Sequence, residues 1–298
     1  MKFDKFSVPL AFLVVLMIWS TTPLAIQWSS AGAPMASALL RMTIGMLFTL
    51  SIITAMRIKL PTGPAERRVY AFSGMVIYIN MSLFYMAAQL IPSGWIAVLF
   101  GLSPLLTGLF ASFVEPESRL TPSKVFGLLL GVMGLYLVFA AGASLEEASM
   151  KGVVLTLIAT VVASSSSVIT RQLVKPLDIS GMQITAGSLI VAVPLFAITV
   201  WFVEPTFTFN FSQKALASTL YLGFIGTGVG FTLYYFLLKR MSASRISLIT
   251  LITPISGLSV GSWLNGEPLL GEIWMGAALV CTGLLIYEFK PRLGLRKL

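Results

Sequence analysis

The chain has 298 residues, of which 57% are hydrophobic and only 10% are charged. A soluble domain carries about 25% charged residues, so this composition excludes a water-facing surface around the whole chain. The net charge of +9 would suit a nucleic-acid partner, but the basic residues lie between apolar runs and form no basic face, which argues against that class.

Ten apolar stretches follow one another with short connections, and each approaches the roughly 20 residues that a transmembrane helix needs. We place them at residues 7–29, 34–56, 68–90, 93–114, 122–141, 151–170, 179–203, 214–238, 243–264 and 270–288. The first begins like a signal peptide, but it is longer than the apolar core of one, so we predict a retained helix. Because helices satisfy their own backbone hydrogen bonds in lipid, the sequence predicts an all-α integral membrane protein with ten transmembrane helices.

The basic residues of the connections fall almost entirely on one side of the predicted membrane. With the N-terminus in the cytoplasm, seventeen of the 20 Lys and Arg residues face the cytoplasm. Only Lys151 and Lys214 face the opposite side, and Arg41 lies within helix 2. Since cytoplasmic connections carry the excess of Lys and Arg, we expect a multi-pass protein of a cell (inner) membrane with both termini in the cytoplasm.

The two halves of the chain resemble each other. Helices 3–4 align with helices 8–9 at an offset of 150 residues. Ser82–Leu83–Phe84–Tyr85 then matches Thr232–Leu233–Tyr234–Tyr235, and Leu102–Ser103–Pro104 matches Ile252–Thr253–Pro254. Paired aromatic residues and paired Ser/Thr-Pro steps are more telling than matching leucines, so we predict a duplicated five-helix unit.

Five is an odd number, so the second unit must enter the membrane in the opposite orientation. The 3–4 connection, residues 89–94, carries no charge, whereas its counterpart, residues 239–245, carries three positive charges. We therefore predict two inverted five-helix repeats, residues 1–145 and 146–298. Inverted repeats are common in secondary transporters, whose substrate sites lie near the bilayer midplane where the repeats meet.

Several of these features together are similar to one family. They are the 5+5 helices in 298 residues, Trp19–Ser20, Arg41, the Pro104 and Pro254 steps, and Glu267 followed by Gly276 and Gly283. The chain resembles the EamA-type members of the drug/metabolite transporter superfamily, in the branch that exports amino acids and metabolites. The resemblance implies alternating access and a central cavity lined by helices 1–4 and 6–9, with helices 5 and 10 at the periphery. The first-half counterpart of Glu267 is either Glu115 or Glu117.

Arg41 is the one ionisable side chain clearly inside a predicted helix. Charges in this position are costly and usually face a cavity, which predicts a cationic anchor for a substrate carboxylate. Alternatively, Arg41 is structural and binds helix-end carbonyls, or its side chain extends to the membrane surface.

Pro104 and Pro254 lie in the middle of predicted helices 4 and 9. Each removes a backbone hydrogen bond and kinks its helix, which predicts either a hinge beside the site or a static kink. The freed carbonyls can be satisfied by Ser103, Thr107, Thr250 or Thr253, or by substrate.

The other candidate substrate-binding residues are aromatic or polar. They are Trp19, Tyr78, Trp95 and Tyr234, together with Asn80, Ser103, Ser164, Gln183 and Thr253. The aromatic residues either line a cavity or belong to the interfacial belts. The polar ones either bind substrate or form interhelical contacts, since small and polar residues also hold membrane helices together.

The sequence has no histidine, a single cysteine and no nucleophile motif, so we expect no metal, no cofactor and no enzymatic activity. No Asp or Glu lies in a helix interior, which disfavours proton coupling. We therefore expect a facilitator or exporter of small organic metabolites, with amino acids as the leading class, and a proton-coupled multidrug exporter as the alternative. A scaffold without a solute cavity and an intramembrane enzyme are the other classes. The expected partners are a small-molecule substrate and membrane lipid, not nucleic acid, and we expect a monomer or weak homodimer.

Overall fold

The computed structural model describes residues 4–30, 32–114, 121–143, 147–207, 212–251, 253–267 and 271–288. Within these ranges every regular element is a helix. The α-helices are α1 (Asp4–Ser29), α2 (Pro34–Ala55), α3 (Pro64–Ala87), α4 (Ser93–Phe100), α5 (Ser103–Val114), α6 (Pro122–Ala143), α7 (Glu147–Val174), α8 (Gly181–Val203), α9 (Gln213–Tyr221), α10 (Gly230–Leu238), α11 (Ala243–Ser247), α12 (Thr253–Asn265) and α13 (Gly271–Glu288). A π-helical segment, Leu222–Val229, joins α9 to α10, and a short 3₁₀ segment, Leu248–Leu251, follows α11.

Seven helical segments of the described chain are long and apolar enough to cross a membrane. They are Ser7–Ser29, Pro34–Ala55, Pro64–Ala87, Ser93–Val114, Ser149–Val174, Gly181–Val203 and Gln213–Leu238. The helices α6 and α13 add shorter apolar stretches, Pro122–Gly134 and Gly271–Tyr287. A chain with this many apolar helices is a multi-pass membrane protein. All ten predicted apolar stretches overlap with helical residues.

Three of the predicted helices are interrupted rather than continuous. Residues 93–114 form α4 and α5, residues 214–238 pass through the π-helical segment, and residues 243–264 contain α11, the 3₁₀ segment and α12. In the last two of these helices, the π and 3₁₀ segments change the direction in which side chains point, because they have different numbers of residues per turn from an α-helix.

The two prolines lie after the interruptions, not in the middle of a kinked helix as the sequence suggested. Pro104 is the second residue of α5 and Pro254 the second residue of α12. A proline in the first turn of a helix removes an N–H that has no intrahelical partner, so it costs little there. The Thr253 hydroxyl donates to the Thr250 carbonyl at 2.8 Å, which gives this carbonyl a partner at the break. The Pro254 ring packs beside Gly101, so the two interruptions touch.

The helices α6 and α13 pack mainly on each other, at one side of the bundle. A Cβ atom added to Gly127 would meet the carbonyl oxygen of Gly283, and one added to Gly283 would meet that of Gly127. These glycines therefore let the two backbones approach closely, as small residues do between membrane helices. The remaining helices form the part of the bundle that encloses the candidate site.

Candidate functional site

A central cavity lies between α1, α2, α3, α4, α7 and α10. It offers about 130 Å³ to the centres of water-sized molecules. One water needs only about 10–15 Å³ by this measure, so the cavity has room for a small solute. Most of its lining is apolar or aromatic, with few polar groups, which is typical of small-molecule sites.

Arg41 from α2 lines the central cavity and is only 2% exposed. Its Nε atom donates to the Thr227 hydroxyl at 2.9 Å, and the Tyr85 ring lies 6.0 Å from the guanidinium carbon. The Nη1 atom is buried and has no hydrogen-bond partner. Arg41 is thus neither extended to the membrane surface nor bound through Nη1 to a carbonyl, and one strong donor remains available to a ligand.

The π-helical segment positions the partner of Arg41. Thr227 lies between Gly223 and Gly228 of this segment. A Cβ atom added to Gly223 would meet Ile44 on α2, and one added to Gly228 would meet Phe48, also on α2. The close approach of α2 and the π-helical segment therefore brings the Thr227 hydroxyl to Arg41. A π-helical segment inside a transmembrane helix is a frequent feature of functional sites.

Asn80 from α3 also lines the central cavity and is 7% exposed. Its Oδ1 atom is buried without a hydrogen-bond partner. An unpaired buried acceptor is costly, so Asn80 offers a ligand an acceptor where Arg41 offers a donor. Among the described lining residues, Arg41 is the one that carries a charge.

Three aromatic side chains, which we call the aromatic wall, border the central cavity. The Trp19 ring lies 6.1 Å from that of Phe100 in a T-shaped arrangement and 5.4 Å from that of Tyr234. All three residues also line a second, smaller cavity. The aromatic wall therefore separates two cavities, and Phe100 was not among the sequence candidates because nothing in a Phe-rich helix distinguishes it.

Ser103 and Ser164 meet at the smaller cavity rather than the central one. Ser103 lines it, and its hydroxyl lies 3.2 Å from that of Ser164. Thr107 lines it too, although the sequence suggested Thr107 only as a partner for a freed carbonyl. Thr227 and Thr107 were missed as site residues because a threonine between small residues is usually a packing position.

Five predicted site residues lie outside the lining of both cavities: Ser164, which contacts Ser103, and Tyr78, Trp95, Gln183 and Thr253. The Tyr78 hydroxyl is 2.7 Å from that of Thr199. Trp95 is buried in the core without a partner for Nε1, and the Thr253 hydroxyl binds the carbonyl of the preceding turn. Gln183 caps α8.

The capping role of Gln183 was visible in the sequence. Its amide oxygen accepts from the Ser180 N–H at 2.7 Å, and its own N–H donates to the Ser180 hydroxyl at 3.3 Å. This is a capping box, whose signature is a Ser or Thr followed three residues later by Glu or Gln. The side-chain amide also donates to the Lys59 carbonyl at 2.7 Å, which links α8 to the connection after α2.

Two carboxylates cap helices near one end of the bundle. Glu267 accepts from the N–H and the hydroxyl of Ser93 at 3.1 and 2.7 Å, and from the Gly94 N–H at 3.0 Å. Glu204 accepts from the N–H groups of Met35 and Ala36, at the start of α2. Both carboxylates therefore satisfy unpaired N–H groups and the positive end of a helix dipole. The suggested counterparts of Glu267, Glu115 and Glu117, lie outside the described residues.

At the other end of the bundle, a basic side chain holds the connection after α7. Lys239, just after α10, donates to the carbonyls of Leu177 and Ile179 at 2.7 and 2.6 Å. Burial lowers the pKa of Lys239 from its ordinary value, and the nearby Asp178 opposes part of that shift. Within the described chain, no three His, Cys, Asp or Glu residues come together as a metal site would require.

Comparisons with known proteins agree with this architecture. The profile of the EamA-like transporter family matches residues 6–140 and 150–288. "Uncharacterized transporter YoaV" of Bacillus subtilis is 24% identical over 286 residues, which cover 95% of this chain and 97% of that protein. An "Uncharacterized transporter" of Archaeoglobus fulgidus is 26% identical and covers 92% of this chain and 95% of its own length. A "Probable amino-acid metabolite efflux pump" of Escherichia coli is 25% identical, over 67% of this chain and 69% of that protein.

A solved crystal structure has the same fold. It superposes with a TM-score of 0.72 at 22% sequence identity and covers 95% of this chain and 97% of that one. The family profile covers most of the sequence in two segments. The Bacillus subtilis and Archaeoglobus fulgidus relatives, which align with more than nine-tenths of this chain, are both named transporters. The chain therefore belongs to the EamA-like transporter family.

Proposed function

We propose that this protein is a secondary transporter that exports or facilitates small organic metabolites, amino acids above all, through the central cavity. The observation that carries the proposal is Arg41. It is a buried cation in a mostly apolar cavity, with Nη1 unpaired. A charge kept in this position at such cost favours a ligand that neutralises it.

The ligand chemistry follows from the two unpaired atoms of the cavity. Arg41 Nη1 is a charged donor and suits a carboxylate, whereas Asn80 Oδ1 is an acceptor and suits an ammonium group. A zwitterionic α-amino acid carries both groups, and the aromatic and aliphatic lining suits an apolar side chain. The name of the Escherichia coli relative, a probable amino-acid metabolite efflux pump, supports the same class.

Alternating access through two inverted repeats, 1–145 and 146–298, is part of the proposal. The family profile matches in two segments of similar length, 6–140 and 150–288. Helix packing also supports it. At the offset of 150 residues, α4 corresponds to α11 and α5 corresponds to α12, so the contact between α4 and α12 has its counterpart in the contact between α11 and α5. Such a pairing is expected of a pseudo-two-fold axis in the membrane plane.

With ten crossings, both termini lie in the cytoplasm and the basic connections face it, in a cell (inner) membrane. The proposed partners are the small-molecule substrate and membrane lipid, and the proposed state is a monomer or weak homodimer. The interrupted helices 4 and 9, with Pro104 and Pro254 beside their breaks, are the proposed hinges, because their interruptions touch at Gly101 and Pro254.

A proton-coupled multidrug exporter is the second candidate, and the aromatic lining of the central cavity favours it. Trp19, Phe84, Phe100, Phe231 and Tyr234 all contribute to that lining. The positive charge of Arg41 argues against this candidate, because many drugs are cations and a buried arginine repels them.

The test is counterflow into liposomes that contain the purified protein, with a mixed amino-acid pool and readout by mass spectrometry. We expect exchange of particular amino acids with or without a pH gradient. Strict dependence on the gradient would favour the second candidate. Protein-free liposomes are the control, and no exchange of any amino acid above that background would refute the amino-acid assignment.

A further inference from the structure

The smaller cavity lies behind the aromatic wall, toward the connection between α10 and α11. Leu238 and Ala243, which flank that connection, line its far end. It offers about 30 Å³ to the centres of water-sized molecules, enough for about two waters. The connection carries Lys239 and Arg240, so this cavity lies toward the membrane side on which the basic connections are proposed to lie, which we call the basic face of the protein.

Hydroxyl groups concentrate in this cavity, which we call the hydroxyl chamber. Ser103, Thr107 and Ser167 line it. The Ser103 and Ser164 hydroxyls interact with each other, and the Ser167 hydroxyl donates to the Ser164 carbonyl at 2.8 Å. The described residues that line the chamber carry no charge, so it contrasts with the cavity around Arg41.

Thr107 is the exceptional member of the chamber. It is fully buried, and its hydroxyl has no hydrogen-bond partner. Several other buried threonines bond to the preceding turn of their own helix, as Thr156 does to the Gly152 carbonyl at 2.9 Å. An unpaired buried hydroxyl is unfavourable, so a ligand that pairs with Thr107 gains binding free energy that the protein alone does not realise.

We propose that the hydroxyl chamber is a second binding subsite on the transport path, which takes the carboxylate of the substrate when the protein opens toward its basic face. The subsite rests on the proposed function. In the present conformation it has room only for water, and the aromatic wall separates it from Arg41. Trp19 lies on α1 and Tyr234 on α10, so a displacement of either helix joins the two cavities into one path with a carboxylate-binding group at each end.

Thr107→Val tests the subsite, because it removes the hydroxyl, keeps the side-chain shape and breaks no hydrogen bond within the protein. Exchange is measured in membrane vesicles of both orientations. We expect the KM measured from the basic face to rise about 10-fold, or about 1.4 kcal/mol, and the KM from the opposite face to stay within error. Thr156→Val makes the same substitution at a buried threonine outside both cavities, where the lost hydroxyl bonds only to the Gly152 carbonyl of its own helix, and it is the control for removing a buried hydroxyl.

The aromatic wall is tested independently of transport by cysteine accessibility. In a Cys281→Ser background, a charged thiol reagent should modify Ser103→Cys faster from the basic face and Asn80→Cys faster from the opposite face. Adding Trp19→Ala should reduce both differences, because it opens the wall between the cavities.

The outcomes separate the two proposals. If the wild type exchanges amino acids but Thr107→Val leaves both KM values unchanged, or raises both equally, the second subsite is refuted and the proposed function stands. If the wild type exchanges none, the proposed function is refuted and the subsite with it. Equal modification of Ser103→Cys from both faces would refute the separation of the two cavities.

Discussion

Replacing Arg41 by methionine is the sharpest test of how this transporter recognises its substrate. Methionine fills much of the same volume without charge or donors, so the variant removes the Nη1 donor from the central cavity. A hydrogen bond to a charged group contributes about 1.5–3 kcal/mol, which corresponds to a roughly 10- to 150-fold loss of affinity. A neutral hydrogen bond contributes about 0.5–1.5 kcal/mol, so an uncharged ligand should lose at most about 10-fold.

The assay compares an exchanged amino acid with its carboxamide, which keeps the ammonium group and the side chain but lacks the negative charge. We expect Arg41→Met to raise the KM of the acid by that larger factor and the KM of the amide by no more than the smaller one, because the amide carries a net positive charge that Arg41 repels. Arg67→Met, at an exposed position in the first turn of α3, removes a positive charge outside the cavity and should change neither KM.

Folding must be controlled, because Arg41 also donates to Thr227. Loss of that bond leaves the Thr227 hydroxyl unpaired and costs about 1–3 kcal/mol, offset in part by removal of the unpaired Nη1 atom. The melting temperature of the purified variant reports this effect separately from KM. If Arg41→Met raises the KM of the acid and the amide by the same factor, Arg41 supports the fold and does not bind the carboxylate.

Three further predictions concern the cavity and the helices that form it. Asn80→Leu should raise the KM of an amino acid about 10-fold, with less effect on its N-acetyl derivative, because the derivative lacks the ammonium group that would donate a hydrogen bond to Oδ1; equal effects on both compounds in exchange assays would contradict this. Glu267→Gln should lower the free energy of unfolding by about 1–2 kcal/mol, since it weakens the cap of α4, whereas Glu272→Gln, at an exposed position in the first turn of α13, should lower it by less than about 1 kcal/mol; thermal unfolding compares the two. Gly257→Ala should destabilise the protein by about 1–3 kcal/mol, because the added Cβ meets Ala97 on α4, whereas Gly271→Ala meets open space; equal melting temperatures of these two variants would refute the close packing of α4 and α12.

The sequence by itself determined that this is a helical membrane protein and where its apolar stretches lie. A chain with 57% hydrophobic and 10% charged residues has to satisfy its backbone groups internally in lipid, and helices do so within one segment. The resemblance to the EamA-type family was also available from the sequence, and the family profile confirms it. Arg41 could be singled out because a charge inside an apolar helix is rare.

Two other local features were present in the sequence, but their structural roles differ from the predicted ones. Gln183 stood out as a polar residue in a membrane segment, yet its spacing from Ser180 is that of a capping box. Pro104 and Pro254 were predicted to kink their helices from the middle, because a proline pattern alone does not distinguish a kink from the first turn of a new helix.

Only the tertiary structure decided which side chains share a cavity. Thr227 meets Arg41 across 186 positions of sequence, because a π-helical segment of α9–α10 packs against α2. The aromatic wall likewise joins Trp19, Phe100 and Tyr234 from three separate helices. Tyr78 and Trp95 were equally suitable candidates in the sequence, but neither lines the central cavity. In a membrane helix nearly every face is apolar, so periodicity does not tell which face turns inward, and the packing of the neighbouring helices settles it.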